Sequence, residues 1–301
     1  MTYSLVARDP ETGDLGVAVQ SHFFSVGSVV SWAEPGVGAV ATQSFAEVSY
    51  GPRGLELMRN GRSAAGALGE LVDQDEGEAA RQVAMIDAGG RVAVHTGRSC
   101  IAEASHQVGV QMSAQANMML RETVPRAMVE AYVAAEGERL AWRLLAALDA
   151  AEAEDGDIRG RQSAALLVVG GRRSDTPWEE RRVDLRVEDD PEPLRELRRL
   201  LRLRAAYDLV EEAEQAAMRG DLQAAAHHYQ LAHDEARDNI EIAFWLGLAL
   251  AGSGEVEKGR AYVRRAIEVN HGWDELIRRL PAAGLLPDDP ELLAQLRFDT
   301  G

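Results

Sequence analysis

The chain opens on short blocks of apolar and polar residues with strand-like spacing. Thr2-Tyr3-Ser4-Leu5-Val6-Ala7-Arg8 leads into Asp9-Pro10-Glu11-Thr12-Gly13-Asp14, and then into Leu15-Gly16-Val17-Ala18-Val19-Gln20-Ser21. Pro presets φ and Gly accepts φ > 0, so the polar block predicts a tight turn between two strands. Residues 26–32 and 37–43 read as two more strands, broken at Glu34-Pro35-Gly36. Few charges fall on either face of these runs, which predicts a sheet covered on both sides. Helical spacing follows at 50–58 and again at 63–72, where Ser63 is the expected N-cap. Residues 82–87 and 91–95 flank Ala88-Gly89-Gly90 as a second hairpin, and 106–115 is strand-like. Residues 123–135 and 138–151 are amphipathic helices, the second with Leu140, Leu144, Leu145 and Leu148 on one face. The runs 163–169 and 182–187 return to strand. Strands, two helices, strands, two helices, strands: this order predicts an α+β arrangement of two sheets between helical layers.

From Leu194 onward the pattern is helical. Positions about 34 residues apart match: Ala213 with Gly247, Gly220 with Gly254, Tyr229 with Val263, Ala232 with Ala266. Small residues recur where helices would approach closely, and Gly220-Asp221 and Gly254-Glu255 mark turns. The pattern resembles tetratricopeptide repeats at 206–239 and 240–273, with 274–296 as a helical cap. Two domains are expected, 1–203 and 204–301.

Composition narrows the function classes. The formal charge of −17 over 301 residues disfavours nucleic acid, whose phosphates call for Lys and Arg. No run of 18 apolar residues predicts a membrane span. The start lacks a basic segment followed by an apolar one, and Cys100 is the single cysteine, so a cytoplasmic location without disulfides is expected. His227, His228 and His233 are spaced by one, five and six residues, which does not place a pair on one helix face, so no metal is expected. No glycine run has the strand–GxGxxG–helix setting of a nucleotide loop, and no cofactor is expected.

Several polar residues interrupt apolar strands. Thr2 directly follows Met1. If Met1 is removed, its hydroxyl becomes a nucleophile carrying its own base, the free α-amine, whose ordinary pKa of about 7.7–8.0 suits proton transfer in both directions. A retained Met1 blocks that mechanism. Ser4 shares the face of Thr2 and is the rival nucleophile. Ser21, Gln43 and Ser44 end strands expected beside the first and are candidate donors to a substrate or oxyanion; Gln115 and Asn117 follow another strand and are candidates for a polar pocket wall. Asp157, Arg159 and Gln162 form a polar loop entering a strand, where Arg can clamp a carboxylate and Asp can orient a base. His106, at a strand start, is a candidate base. Each has an ordinary structural reading as well: satisfying local backbone groups, fixing a loop by an ion pair, or bonding at the surface.

The stretches Thr2-Tyr3-Ser4-Leu5-Val6-Ala7-Arg8-Asp9-Pro10-Glu11-Thr12-Gly13, Gly16-Val17-Ala18-Val19-Gln20-Ser21, Gly36-Val37-Gly38-Ala39-Val40-Ala41-Thr42-Gln43, Tyr50-Gly51-Pro52-Arg53-Gly54-Leu55 and Gly156-Asp157-Ile158-Arg159-Gly160-Arg161-Gln162-Ser163-Ala164-Ala165-Leu166-Leu167-Val168 resemble the domain-of-unknown-function 1028 family. The resemblance spans about residues 2 to 203. It implies a four-layer αββα sandwich like that of N-terminal-nucleophile (Ntn) hydrolases. Enzymes of that wider group mostly cleave amide bonds with a Thr, Ser or Cys at the mature N-terminus, a pattern that Thr2 matches. The expected function is therefore hydrolysis of a small amide or peptide-like bond. The alternative is a catalytically silent sandwich that binds a ligand or protein, with the repeats as adaptor. The repeats are expected to mediate homo-oligomerisation or to hold a protein partner.

Overall fold

The computed structural model describes residues 2–297. The chain divides into two compact units, residues 1–201 and 202–301. In chain order the first unit contains β1 (Thr2–Arg8), β2 (Leu15–Ser21), α1 (Gly27–Val30), β3 (Ser31–Glu34), β4 (Gly38–Ser44), α2 (Tyr50–Arg59), α3 (Ala64–Asp73), β5 (Arg81–Asp87), β6 (Val92–Thr96), β7 (Ser105–Gly109), β8 (Met112–Asn117), α4 (Val124–Ala134), α5 (Leu140–Ala153), β9 (Ser163–Val169), β10 (Arg181–Val187) and the start of α6 (Pro193–Met218). The second contains the rest of α6, then α7 (Leu222–Glu235), α8 (Ile240–Gly252), α9 (Val256–Val269), α10 (Gly272–Arg279) and α11 (Pro290–Leu296).

Two antiparallel sheets form the first unit. One has the order β10-β9-β2-β1-β8-β7, the other β3-β4-β5-β6. Period-2 alternation sorts the side chains of β1. Tyr3, Leu5 and Ala7 pack with Leu140, Leu144 and Leu148 of α5 and with Met128 of α4. Val6 faces the other sheet, with Val17 and Val19 of β2 and Ala39, Ala41 and Ile86 opposite. The outer face of the four-stranded sheet, Val40, Val83 and Met85, lies under Leu55 and Met58 of α2 and Leu68 and Leu71 of α3. Three apolar layers separate four layers of elements, so the fold is an α+β, αββα sandwich.

The turns follow their residues. Asp9 Oδ1 accepts from the amides of Glu11 and Thr12 at 2.8 and 3.0 Å, and Gly13 closes the β1–β2 turn at φ +81°. Ser63 caps α3, its Oγ accepting from the Gly66 amide at 3.2 Å. Gly36 sits at φ +62°, and a Cβ there would lie 2.2 Å from the Arg173 amide nitrogen. Gly36→Ala combines backbone strain with a clash that no rotamer relieves, and is expected to cost about 2–3 kcal/mol, read as a lowered urea midpoint.

Two stretches differ from the pattern reading. Residues 26–32 are not one strand: α1 takes Gly27–Val30 and β3 begins at Ser31. Val26 and Val30, four apart, both enter the inter-sheet core, which is helical spacing. Gly27 fits there because a Cβ would meet that of Ala165 at 2.4 Å. Residues 106–115 are two strands, β7 and β8, joined through exposed Val110 and Gln111 at φ +56°. That turn carries neither Gly nor Pro, so the sequence gives it no punctuation.

In the second unit, Asp221 and Asn239 cap α7 and α8 through the amides of Ala224 and Ile242, at 3.0 and 3.1 Å. Gly220 and Gly254 turn the chain at φ +78° and +100°. Helices α8 and α9 cross backbone to backbone: a Cβ on Gly247 would lie 2.7 Å from the Gly259 carbonyl oxygen. No helix among the described residues is long and apolar enough to cross a membrane.

Candidate functional site

The N-terminal end of β1 lies between the C-terminal ends of its two neighbours. Thr2 is paired with Ser21 of β2 on one side and with Asn117 of β8 on the other. Thr2 is buried, 4% exposed, and its Oγ1 donates to Ser21 Oγ at 3.0 Å. Met1 lies outside the described residues.

Beneath Thr2 the two sheets are joined by buried amides rather than apolar contacts. Gln43 Nε2 donates to the Thr2 carbonyl at 3.1 Å, to Gln82 Oε1 at 2.8 Å and to the Gln115 carbonyl at 3.3 Å. Asn117 Nδ2 donates to Gln82 Oε1 at 2.8 Å and to the Thr2 carbonyl at 3.3 Å. Gln82 Nε2 in turn donates to Thr96 Oγ1 at 3.1 Å and to the carbonyls of Ser105 and Ala116 at 3.2 and 3.0 Å. Ser4 is sealed inside this network at 0% exposure, donating to Gln43 Oε1 at 2.7 Å and accepting from Gln115 Nε2 at 2.5 Å. Ser113 Oγ donates to Gln115 Oε1 at 3.2 Å. Both side chains hydrogen-bonded to Ser4 are uncharged amides, and neither can take its proton. Within this network one amide atom is unmatched: Asn117 Oδ1 is buried with no hydrogen-bond partner.

Asp157 closes the end of β1. Its segment bridges Met119, just past β8. Its carboxylate accepts from the His22 amide, just past β2, at 3.2 Å. Asp157 therefore links the segments that follow β2 and β8, the two strands flanking β1, by its carboxylate on one side and its backbone on the other. Its side chain is fully buried, and Arg159 holds it through Nε and Nη2 at 3.0 and 2.8 Å. Pairing and hydrogen bonding offset the cost of burying that charge.

The remaining residues expected at the site are placed differently. Ser44 is half-buried at φ +70°, its Oγ without a partner. The Gln162 amide donates to the Ser21 carbonyl at 3.2 Å, while its side chain turns to Asp189 Oδ1 at 3.1 Å. His106 is exposed on β7 and bonds Thr96 Oγ1 through Nδ1 at 2.9 Å, so it reaches Thr2 only through Thr96, Gln82 and the amides beyond. Burial, and then the nearby His95, lower its pKa. Gln43 lies in the opposite sheet and meets Thr2 face to face rather than edge to edge. Pattern reading missed Gln82, whose signal was present: a Gln opening an apolar strand, in register with Gln43. It also missed His22, which becomes notable only beside Asp157.

The rim of this end is apolar. Phe23, Phe24, Phe45, Leu120 and Ile158 are each at least half exposed, and all lie in loops leaving β2, β4 and β8 or entering β9. Ser25 and Met118, in the same loops, and Ser44, the last residue of β4, have positive φ without being glycine. Such strained positions concentrate at binding and catalytic sites. On the other face of the six-stranded sheet, Tyr3 donates to Glu152 Oε2 at 2.7 Å, and Glu152 pairs with Arg161 at 2.8 Å. Burial, then the Glu152 charge, holds the Tyr3 phenol well above its ordinary pKa. The described residues contain no cluster of three or more metal-ligating side chains.

The architecture defines a class, an αββα sandwich whose first strand begins with a buried hydroxyl. The chain belongs to the family of unknown function DUF1028, whose family model matches residues 2–197. It is similar to the crystal structure of protein SPO2555 from Silicibacter pomeroyi, family-model DUF1028, with 33% identity and a TM-score of 0.59 over 66% of this chain and 87% of that one. None of the curated proteins compared with the chain matches it.

Proposed function

We propose that the first unit is an N-terminal-nucleophile amidohydrolase with Thr2 as nucleophile. The observation that carries this reading is the buried Asp157 carboxylate, on a residue that joins the segments following β2 and β8, the strands paired with Thr2. An anion there stabilises an α-ammonium and orients the amine. In the proposed cycle the α-amine takes the proton of Thr2 Oγ1 as the oxygen attacks the amide carbon. The oxyanion collapses, the C–N bond breaks, and the departing amine leaves with that proton. Water then hydrolyses the acyl ester, with the same amine as base. Ser21 and backbone amides at the mouth are the nearest donors for the oxyanion. The exposed Phe23, Phe24 and Phe45 favour a substrate with an apolar group beside the scissile bond. The site requires no cofactor, and the proposed location is cytoplasmic.

The second unit has a groove of about 800 Å³ lined by Gln223, His227, Gln230, Lys258 and Tyr262. That favours a protein- or peptide-binding role for the helical unit, which the silent-module alternative shares.

Two results test the hydrolase reading. Intact mass of the purified protein is expected to show loss of Met1; retention overturns the Thr2 mechanism. Ser4→Ala is expected to keep hydrolysis of small amides within about threefold while lowering stability by about 2 kcal/mol, because it removes both buried hydrogen bonds of the Ser4 hydroxyl. Loss of all hydrolysis in that variant, with the fold intact, would move the nucleophile to Ser4.

A further inference from the structure

We propose that Asn117 positions the Thr2 α-amine, accepting one of its hydrogens at Oδ1; this rests on the reading of Thr2 as nucleophile. The argument is an accounting of donors and acceptors. Arg8 donates its amide to the Gln111 carbonyl at 2.9 Å. In an antiparallel pair the direction of N–H groups repeats every second residue, so the even-numbered amides of β1 face β8. The register Thr2↔Asn117 then puts the Thr2 nitrogen on the Asn117 side. Inside a chain that nitrogen carries one hydrogen, which the ladder takes. As a free terminus it carries two or three, and the additional hydrogens need acceptors in a buried place.

Two acceptors stand there. One is Asp157. The other is Asn117 Oδ1, fully buried and without a partner. Its orientation is fixed, because Nδ2 serves two oxygens, Gln82 Oε1 and the Thr2 carbonyl, and a flipped amide would set oxygen against both. An unmatched buried acceptor costs stability in a chain where nothing donates to it. It is matched once Thr2 is the first residue.

The charged groups beside that end of β1 are Asp157 and the Arg159 guanidinium bound to it, and the neighbouring titratable residue is His22, whose backbone amide donates to Asp157. Gln43, Gln82 and Ser21 are neutral. Asn117 therefore holds the amine without adding a second negative charge, which would keep it protonated and useless as a base at neutral pH.

The test titrates the amine itself. The full chain is prepared to begin at Thr2 by cleaving an N-terminal fusion, and trace acetylation of the α-amine by acetic anhydride is followed against pH by mass spectrometry of the N-terminal peptide. Asn117→Leu removes a hydrogen-bond acceptor that favours the ammonium, and is expected to lower the apparent pKa by about one unit. Asn117→Asp supplies a charged acceptor and is expected to raise it by about one unit or more. General loosening of the site would move both variants the same way. Shifts in the same direction, or no shift in either, overturn the proposal. Failure of the hydrolase reading shows separately: an amine that titrates as expected in a protein that cleaves no amide keeps the positioning role and discards the catalysis.

Discussion

Thr2→Ala is expected to abolish both hydrolysis and covalent labelling by an electrophilic amide mimic, with a fall of at least roughly 10³-fold in kcat/KM. Alanine is small, so Met1 removal should proceed as for Thr, and the α-amine, Asp157 and Asn117 all remain. What is lost is the hydroxyl, the oxygen that the proposed mechanism uses as nucleophile beside its own α-amine. The structural consequence is modest. Thr2 Oγ1 makes one hydrogen bond, to Ser21 Oγ, and its carbonyl keeps both amide donors. A stability change of about 1 kcal/mol is expected, small enough that lost activity cannot be blamed on unfolding. Thr2→Ser keeps the oxygen and should retain labelling within about tenfold. Undiminished labelling of Thr2→Ala, located by peptide mass, would place the reactive group elsewhere and end the Thr2 mechanism.

The sandwich was legible because its strands obey simple rules. The residues 2–21 hairpin had turn chemistry, and the Leu140, Leu144, Leu145 and Leu148 stripe had one apolar face; both lie where their pattern put them. Legibility failed where tertiary contact, not local preference, sets the backbone. Gly27 is helical because Ala165 leaves no room for a side chain, and the turn at Val110-Gln111 is set by its strands and by Arg8 Nη1 donating to Gln111 Oε1 at 2.6 Å. The site was half legible for the same reason. Thr2, Gln43 and Asn117 stand out as polar residues at strand ends. Their meeting across two sheets, and the arrival of Asp157 from a loop 155 residues further along, depend on topology that period and composition do not carry. His106 shows the converse. Its type suggested a base, yet it sits at the surface on Thr96, three hydrogen-bonded residues from Thr2.

These contacts give the polar layer two separate tasks. Ser4, Ser113 and Gln115 satisfy one another and fix the registry of β1 against β8, and they contain no group that titrates near neutral pH. Asn117 and Ser21 pair with Thr2 at the end of the strand, and Asn117 Oδ1 has acceptor capacity left over. In the proposed mechanism stability and chemistry occupy adjacent rungs of one strand, Ser4 serving the first and Thr2 the second.

Gln82 joins those tasks, and replacing it is expected to have the largest effect on stability. It belongs to the four-stranded sheet, yet its Nε2 donates to carbonyls of Ser105 and Ala116 in the six-stranded one, and its Oε1 accepts from Gln43 and Asn117. Gln82→Leu preserves volume and leaves buried polar partners with fewer bonds. Gln43 and Asn117 each keep another acceptor, so the expected loss is about 3 kcal/mol rather than the sum of every bond removed. Hydrogen exchange of the β1 and β8 amides under urea reads it within the first unit. Gln82→Glu makes the sign explicit. Protonated, the glutamic acid nearly reproduces the glutamine; ionised, it sets a negative charge against the Ser105 and Ala116 carbonyls in a buried site. Its folded-state pKa is therefore raised above the unfolded value of about 4.3. The variant should approach the parent in stability near pH 4 and lose stability as pH rises through the folded-state pKa, by about 1.4 kcal/mol for each unit of that shift. A stability difference from the parent that stays flat between pH 4 and pH 8 would show that Gln82 is not the inter-sheet staple its contacts describe.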